Sequence, residues 1–136
     1  MSNETFNTPG FSDPVGYSDA MGVGPGRRLV FLSGHVAFDA QRSILHPGDL
    51  VAQVGVTLRN LRATLEAAGG QPEDLVKLTV LVTDVQAWRS DAKAVGAAWR
   101  EALGKVYPAM TLVPVSGLYD PGAVVEIEGV AAVPAP

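Results

Sequence analysis

Two glutamates and one histidine are the residues whose types and positions best suit acid–base chemistry. Glu126 and Glu128 are separated by a single residue near the carboxyl end of the chain, and His35 directly follows Ser33-Gly34. A positioned carboxyl group or imidazole can give or take a proton in a transition state. From spacing alone the plainer interpretation, solvated strand glutamates and a structural histidine, is the more common case. Tyr17 is similarly open to either interpretation.

The sequence lacks the residues that several other chemistries need. It contains no cysteine, which excludes disulfides, thiolate catalysis and cysteine-based zinc sites. Two histidines are too few for a histidine-rich metal cluster, and no phosphate loop, Rossmann glycine pattern or nucleophile elbow is present. We therefore expect neither a metal nor another cofactor.

The charge balance argues against a polynucleotide partner. The 136 residues carry 10 basic and 14 acidic side chains, a net charge of −4, and no basic run exceeds Arg27-Arg28. Nucleic-acid binding normally requires a cationic surface that neutralises phosphates. No apolar stretch approaches the roughly 20 residues that span a bilayer, and the first residues lack a signal-peptide pattern. The expectations are no nucleic acid, no membrane, and a cytoplasmic protein.

The elements that must position these residues fit within one domain. The length and the 47% content of hydrophobic residues suit a single core, preceded by a loose lead-in over residues 1–14. The single domain is expected over residues 15–133. Hydrophobic periodicity predicts helices over residues 50–68 and 86–103, and strands over residues 29–32, 75–83, 109–116 and 123–133.

Capping and turn residues predict where these elements end. Asp49 is a plausible N-cap for the first helix, and Gly69-Gly70 a plausible C-terminal stop. The glycine-rich residues 22–26 are interpreted as a hairpin loop, and residues 119–122 as a turn. The face of the first helix that is expected to meet solvent carries Gln53, Thr57, Asn60 and Glu66.

Two amphipathic helices can cover only one face of the predicted sheet, so the fold class is an α+β layer. Alternation in the last strand places Val125 and Ile127 under the helices, and Glu126 and Glu128 on the open face. Leu75 and Leu81 are expected to share that open face with threonines. Such a surface is too apolar to stay entirely wet, which favours association between subunits and a small-molecule site there.

Short motifs in a specific order resemble the RidA family, also called YjgF or L-PSP proteins, over nearly all of residues 17–133. The matching segments are LSGH at 32–35, PGD at 47–49, LEAAG at 65–69, DLVKLTV at 74–80, YPA at 107–109 and VEIE at 125–128. The resemblance implies a chorismate-mutase-like α+β fold with two helices packed on one face of a mixed sheet. It also implies a homotrimer whose sheets line a central barrel, with small-molecule sites in the clefts between subunits.

The resemblance also suggests roles for individual residues. In active deaminases of this family, an arginine on the penultimate strand binds the carboxylate of a 2-imino acid. A glutamate of the last strand helps water attack the C=N carbon, and ammonia is released. Glu126 matches that glutamate, Tyr17 matches an N-terminal tyrosine of the site, and Ser33 and Gly34 match its Ser-Gly pair.

The chain departs from this family pattern at four positions. Met110 follows Pro108-Ala109 where the arginine is expected, and a thioether cannot form the two parallel hydrogen bonds of a guanidinium. The remaining departures are His35 in place of glutamine, Leu112 where cysteine is frequent, and Lys93 near a helix position that often carries asparagine. Arg27, Arg28 and Lys93 are the candidates for a replacement cation.

Two functions from different classes follow. The first is an enzyme of altered specificity that hydrolyses an imine, enamine or carbonyl compound but not ordinary 2-imino acids. Glu126 would activate water, His35 would supply a proton, and Met110 with Leu112 would form an apolar wall. The second is a non-catalytic trimer that binds a metabolite or a protein. RNA cleavage, which is attached to some family members by name, is disfavoured by the net charge.

Overall fold

A computed structural model describes residues 2–136 as a mixed sheet with helices on one face. Its strands, in chain order, are β1 (Glu4–Phe6), β2 (Ala20–Gly22), β3 (Arg28–His35), β4 (Leu75–Val82), β5 (Ala109–Pro114) and β6 (Val125–Val133). Its helices are α1 (Leu50–Ala67), α2 (Val85–Ser90) and α3 (Ala92–Leu103), with one 3₁₀ turn at Pro72–Asp74. The α+β class predicted from the sequence is confirmed.

The main sheet has the strand order β3-β6-β4-β5. Strands β4 and β5 are parallel, and both pairings of β6 are antiparallel. A parallel pair needs a crossover connection, which α2 and α3 supply here. Helix α1 packs against α3, β3 and β6. The core therefore lies between one helical layer and one face of the sheet.

Helix α1 begins and ends where the sequence predicts. The Asp49 side chain accepts a hydrogen bond from the Ala52 N–H at 3.2 Å, which satisfies one of the free donors of the first turn. At the other end Gly69 has a φ of 86°, and the Gly70 N–H bonds to the Leu65 carbonyl at 2.9 Å. This left-handed glycine cap is typical of helix ends.

The prediction that Gln53 and Thr57 of α1 face solvent is wrong, because both side chains are fully buried. The Gln53 amide donates to the carbonyls of His46 and Gly122 at 2.9 and 2.8 Å, and its oxygen accepts from the Val124 N–H at 2.9 Å. A buried amide is tolerated when it is hydrogen-bonded in this way. Gln53 thus fixes the turn that leads into β6.

The second predicted helix, over residues 86–103, is in fact two helices. Asp91, with φ −103° and ψ 19°, lies between them as the C-cap of α2 and the N-cap of α3. Ser90 and Asp91 have short polar side chains, which favour helix ends over helix interiors. The apolar periodicity continues across the break, so periodicity alone could not detect it.

Strand β6 has the predicted alternation, with Val125 and Ile127 fully buried and Glu128 exposed. The expectation that Leu75 lies on the open face is wrong. The β4–β6 register shifts by one residue between Leu75 and Lys77. This irregularity turns Leu75 to the helical side opposite Ala131, where it is 1% exposed.

The amino-terminal residues differ from the expected loose lead-in and hairpin loop. Strand β1 pairs antiparallel with β2 in a small separate sheet, whereas β3 belongs to the main sheet. Residues 22–26 therefore connect two different sheets and are not a hairpin loop. At the other end β6 finishes at Val133, before the two prolines that cannot extend a strand.

The face of the main sheet that the helices leave open exposes large apolar side chains beside polar ones. Leu29 and Phe31 of β3 pair with Ala132 and Val130, and they are 47% and 75% exposed. Contiguous exposed apolar surface of this kind marks interaction sites. Within residues 2–136, no helix has the combination of length and apolar character that crossing a membrane requires.

Candidate functional site

Glu126 lies directly over Gly34 in the β3–β6 pair. The register of this pair shifts between Leu32 and His35, so that β3 contains one extra residue there. A Cβ atom built on Gly34 would lie 2.8 Å from the Glu126 carboxyl carbon, closer than real Cβ atoms approach. Only glycine leaves room for the carboxyl group at this position. The Ser33-Gly34 bulge, a type of irregularity common beside active sites, therefore leaves room for the carboxyl group.

The environment of Glu126 favours its neutral form. Partial burial raises the pKa of the Glu126 carboxyl above its ordinary value, and the negative charges of Asp120 and Glu128 raise it further. The positive charge of His35 acts in the opposite direction and lowers this pKa. A carboxyl with a raised pKa exchanges its proton closer to neutral pH, which suits acid–base work.

His35 is held by two hydrogen bonds that determine where its protons lie. Its Nδ1 is 2.6 Å from the Ser33 carbonyl oxygen, and its Nε2 is 2.9 Å from the Thr64 hydroxyl. A carbonyl oxygen can only accept, so Nδ1 carries a proton. The Thr64 hydroxyl also lies 3.2 Å from the Asn60 carbonyl, to which it can donate.

The Thr64 hydroxyl can serve either charge state of His35. When the imidazole is neutral, Nε2 accepts the hydroxyl proton of Thr64. When the imidazole is charged, Nε2 donates to the same oxygen, and the hydroxyl proton turns to the Asn60 carbonyl. His35 can therefore gain or lose a proton without losing a hydrogen-bond partner.

Two cavities lie near the predicted site residues. The first, which we name the histidine cavity, has a volume of about 580 Å³ and is lined by Ser33, Gly34 and His35. The second, which we name the aromatic cavity, has a volume of about 790 Å³. Side chains with rings, a thioether or branched carbons dominate its wall, namely Val15, Tyr17, Trp88, Val95, Trp99, Tyr107, Met110 and Leu112.

The predicted site residues thus form two groups on one chain. Gly34 lies against Glu126, and Ser33, Gly34 and His35 line the histidine cavity, whereas Tyr17, Met110 and Leu112 line the aromatic cavity. Lys93 lines neither of these two cavities. Ser18 fastens the Tyr17 segment to the start of β5, because its hydroxyl donates to the Tyr107 carbonyl at 2.6 Å and its N–H to Pro108 at 3.1 Å.

Two of the cations considered as replacements for the missing arginine are held elsewhere. Arg27 forms a 2.8 Å ion pair with Asp74 and also donates to the Ala132 carbonyl. Arg28 donates to the Ala68 carbonyl at the end of α1, at 2.7 Å. Sequence reasoning missed a different residue, Arg100, which lines the aromatic cavity.

A helical spacing could have revealed Arg100. Ala92, Gly96 and Arg100 recur every four residues on α3, which places them on one face of the helix. All three line the aromatic cavity. Within residues 2–136, no cluster of three or more histidines or carboxylates is arranged to hold a metal ion.

Comparisons with known proteins agree on one family. The family model described as Endoribonuclease L-PSP matches residues 12–133. A RutC family protein from Pyrococcus abyssi is 30% identical over 132 residues, which cover 96% of this chain and 98% of that protein.

Solved structures give the same assignment. The fold is similar to that of a Rid-family protein of unknown function from Yersinia pestis, with a TM-score of 0.85, 26% identity, and 98% and 100% of the two chains covered. It is also similar to RidA from an Antarctic Psychrobacter, with a TM-score of 0.66, 33% identity, and coverage of 96% and 99%. The chain therefore belongs to the RidA/YjgF/L-PSP family, as its motifs indicate.

Proposed function

We propose that three copies of this chain assemble into a trimer with a small-molecule site in each cleft between neighbouring subunits. The exposed Leu29 and Phe31 on the open sheet face support this assembly, because association would remove them from water. In the cleft, the aromatic cavity of one subunit would face Ser33, Gly34 and Glu126 of the next. This arrangement would join the two groups of site residues that lie apart on a single chain.

The proposed assembly predicts a particle with three times the 14.2 kDa chain mass. Phe31→Glu is expected to shift the particle towards monomer, because it places a charge on the covered face. Phe11→Glu is the matched control, since Phe11 is also 75% exposed but lies outside the sheet. Light scattering at micromolar concentration measures both. A wild-type monomer, or equal effects of the two substitutions, would contradict the proposed interface.

The reaction that we propose for this cleft is hydrolysis of an imine or enamine. The observation that carries it is the Glu126 carboxyl, which lies over Gly34 and has a raised pKa. Glu126 would take a proton from water as the oxygen attacks the C=N carbon. Glu126 would then pass that proton to the nitrogen, since both ring nitrogens of His35 are hydrogen-bonded to Ser33 and Thr64, and the resulting carbinolamine would lose ammonia and leave a carbonyl compound.

Ordinary small 2-imino acids are not the proposed substrates. Met110 stands where the family's carboxylate-binding arginine is expected, and it is packed against the core with no charge to offer. Losing one partner of a buried charge pair typically costs about 2–5 kcal/mol, which weakens binding roughly tens- to thousands-fold. The apolar lining of the aromatic cavity instead suits a substrate with an apolar body.

The rate of ammonia release tests this proposal. Imines with an aromatic or branched body, generated in situ without a carboxylate by an amine oxidase or with one by an amino-acid oxidase, form the panel. The small acid is 2-iminopropionate, also from an amino-acid oxidase. We expect the trimer to accelerate ammonia release from imines with an aromatic or branched body, and to leave 2-iminopropionate at the spontaneous rate. Acceleration of 2-iminopropionate alone would contradict the proposed specificity.

The absence of a cation at Met110 favours one alternative, a trimer that binds a metabolite or a protein without turning it over. The same assay separates the two. If no imine in the panel reacts faster with the protein than without it, the catalytic proposal is wrong and the non-catalytic one is supported.

A further inference from the structure

Among residues 2–136, Arg100 is the one cationic side chain on the wall of the aromatic cavity. It lies in the last turn of α3. Within residues 2–136 its guanidinium has no ion pair and no hydrogen bond to another group, in contrast to Arg27, Arg28 and Arg62. An arginine without an acidic partner, on the wall of an apolar cavity in a chain of net charge −4, can attract an anion.

Gly96, one helical turn earlier, leaves room for the guanidinium of the exposed Arg100. A Cβ atom on Gly96 would lie 3.3 Å from Nη1 of Arg100, so the guanidinium lies across the surface of the helix. Side chains in helices point back towards the amino end, which directs Arg100 along the face that lines the cavity. Glycine weakens a helix interior, and here it leaves space for the guanidinium beside that wall.

The rest of the cavity is suited to a ring or a branched apolar body. Tyr17, Trp88 and Met110 contribute to its lining. The indole N–H of Trp99 already donates to the Val106 carbonyl at 2.9 Å, so only the ring of Trp99 is available to a ligand. A volume of about 790 Å³ exceeds what an acid of three or four carbons would fill.

We propose that Arg100 is the carboxylate anchor of this chain and that the ligand is a small acid with an aromatic or branched apolar body. The carboxylate would lie on the guanidinium over Gly96, and the apolar body would fill the space between Tyr17, Trp88 and Met110. This inference rests on the proposed cleft site, and it names the class of ligand that the site selects. It moves the anchor to helix α3 from strand β5, where Met110 has no charge.

Calorimetry with three stable probes tests the inference on the intact protein. The probes are 3-phenylpropionate, its neutral isostere 3-phenylpropanamide, and propionate, which lacks the ring. We expect 3-phenylpropionate to bind at least about tenfold more tightly than either of the other two. Hydrogen bonds to charged groups have a typical net worth that corresponds to about ten- to a hundred-fold in affinity.

Arg100→Gln is expected to weaken 3-phenylpropionate binding by about ten- to a hundred-fold and to leave 3-phenylpropanamide unchanged. Arg59→Gln is the matched control, because Nη1 of Arg59 lies 3.2 Å from the position of a Cβ on Gly55 in the same i, i+4 arrangement on α1. Arg59 lines neither the aromatic nor the histidine cavity. The Arg59→Gln variant should bind all three probes as the wild type does.

The outcomes separate this inference from the proposed reaction. Equal affinity for the acid and the amide, or equal losses in Arg100→Gln and Arg59→Gln, would overturn Arg100 as the anchor without affecting the imine assay. No measurable binding of either phenyl probe would overturn the ligand class. Binding of 3-phenylpropionate that depends on Arg100, in a protein that hydrolyses no imine, would support this inference and contradict the reaction alone.

Discussion

Glu126→Gln is expected to reduce the rate of imine hydrolysis by about 10²–10⁴-fold, the range that positioned general acids and bases contribute. Glutamine preserves the shape of the side chain over Gly34 but cannot take a proton from water. Initial rates of ammonia release at saturating substrate measure the loss. A variant that keeps the wild-type rate would mean that Glu126 does not activate the water.

Glu128→Gln is the control on the same strand and the same face, two residues away and exposed. We expect its rate at neutral pH to equal that of the wild type. Its pH profile should nevertheless change, because the charge of Glu128 is one cause of the raised pKa of Glu126.

The direction of that change follows from the protonation state that the reaction needs. The base form of Glu126 is the carboxylate, so the rate falls as the pH drops through the raised pKa. Removing the Glu128 charge lowers this pKa, and the acidic limb of the profile should move to lower pH. A limb that moves to higher pH, or stays in place, would assign the limb to another group.

Met110→Arg is expected to strengthen the binding of 2-oxobutyrate and pyruvate by about ten- to a hundred-fold, the typical net worth of hydrogen bonds to a charged group. These 2-keto acids carry the carboxylate and carbonyl of a small 2-imino acid. Met110 is half-buried on the wall of the aromatic cavity, so an arginine there would direct its guanidinium towards the ligand. Calorimetry on the folded trimer gives the affinities.

Met21→Arg makes the same chemical change away from both cavities. Met21 lies in β2 and accepts a hydrogen bond from the Thr5 hydroxyl. We expect its affinity for both keto acids to match that of the wild type. If Met110→Arg also fails to improve binding, position 110 is not equivalent to the arginine position of the family.

The parts of the fold that depend on one element alone could be predicted from the sequence. Asp49 and Gly69 mark the ends of α1 by local hydrogen bonding, and the alternation in β6 separates Ile127 from Glu126 without knowledge of any partner strand. What the sequence could not predict depends on contacts between distant residues. The bulge that buries Leu75 is a property of two paired strands, and Gln53 is buried because a turn some seventy residues later requires its amide.

The same distinction applies to the candidate site. The resemblance identified Glu126 and Gly34, and their close approach follows from the bulge between them. Arg100 shares the four-residue spacing of Ala92 and Gly96, but this spacing alone does not indicate that their face of α3 lines a cavity. The separation of the site residues into two groups also required coordinates, since strand order cannot be read from periodicity.

The position of β6 has a consequence for how the chain is made. It is the last strand along the chain, yet it lies between β3 and β4 and pairs with both. While a ribosome is still adding residues 125–133, the earlier strands β3 and β4 have no shared neighbour to join them. Pairing Arg28 with Val133 also closes a very long stretch of chain, which is slow in folding. Nascent copies therefore expose the unpaired edges of β3 and β4 until residues 125–133 have been added.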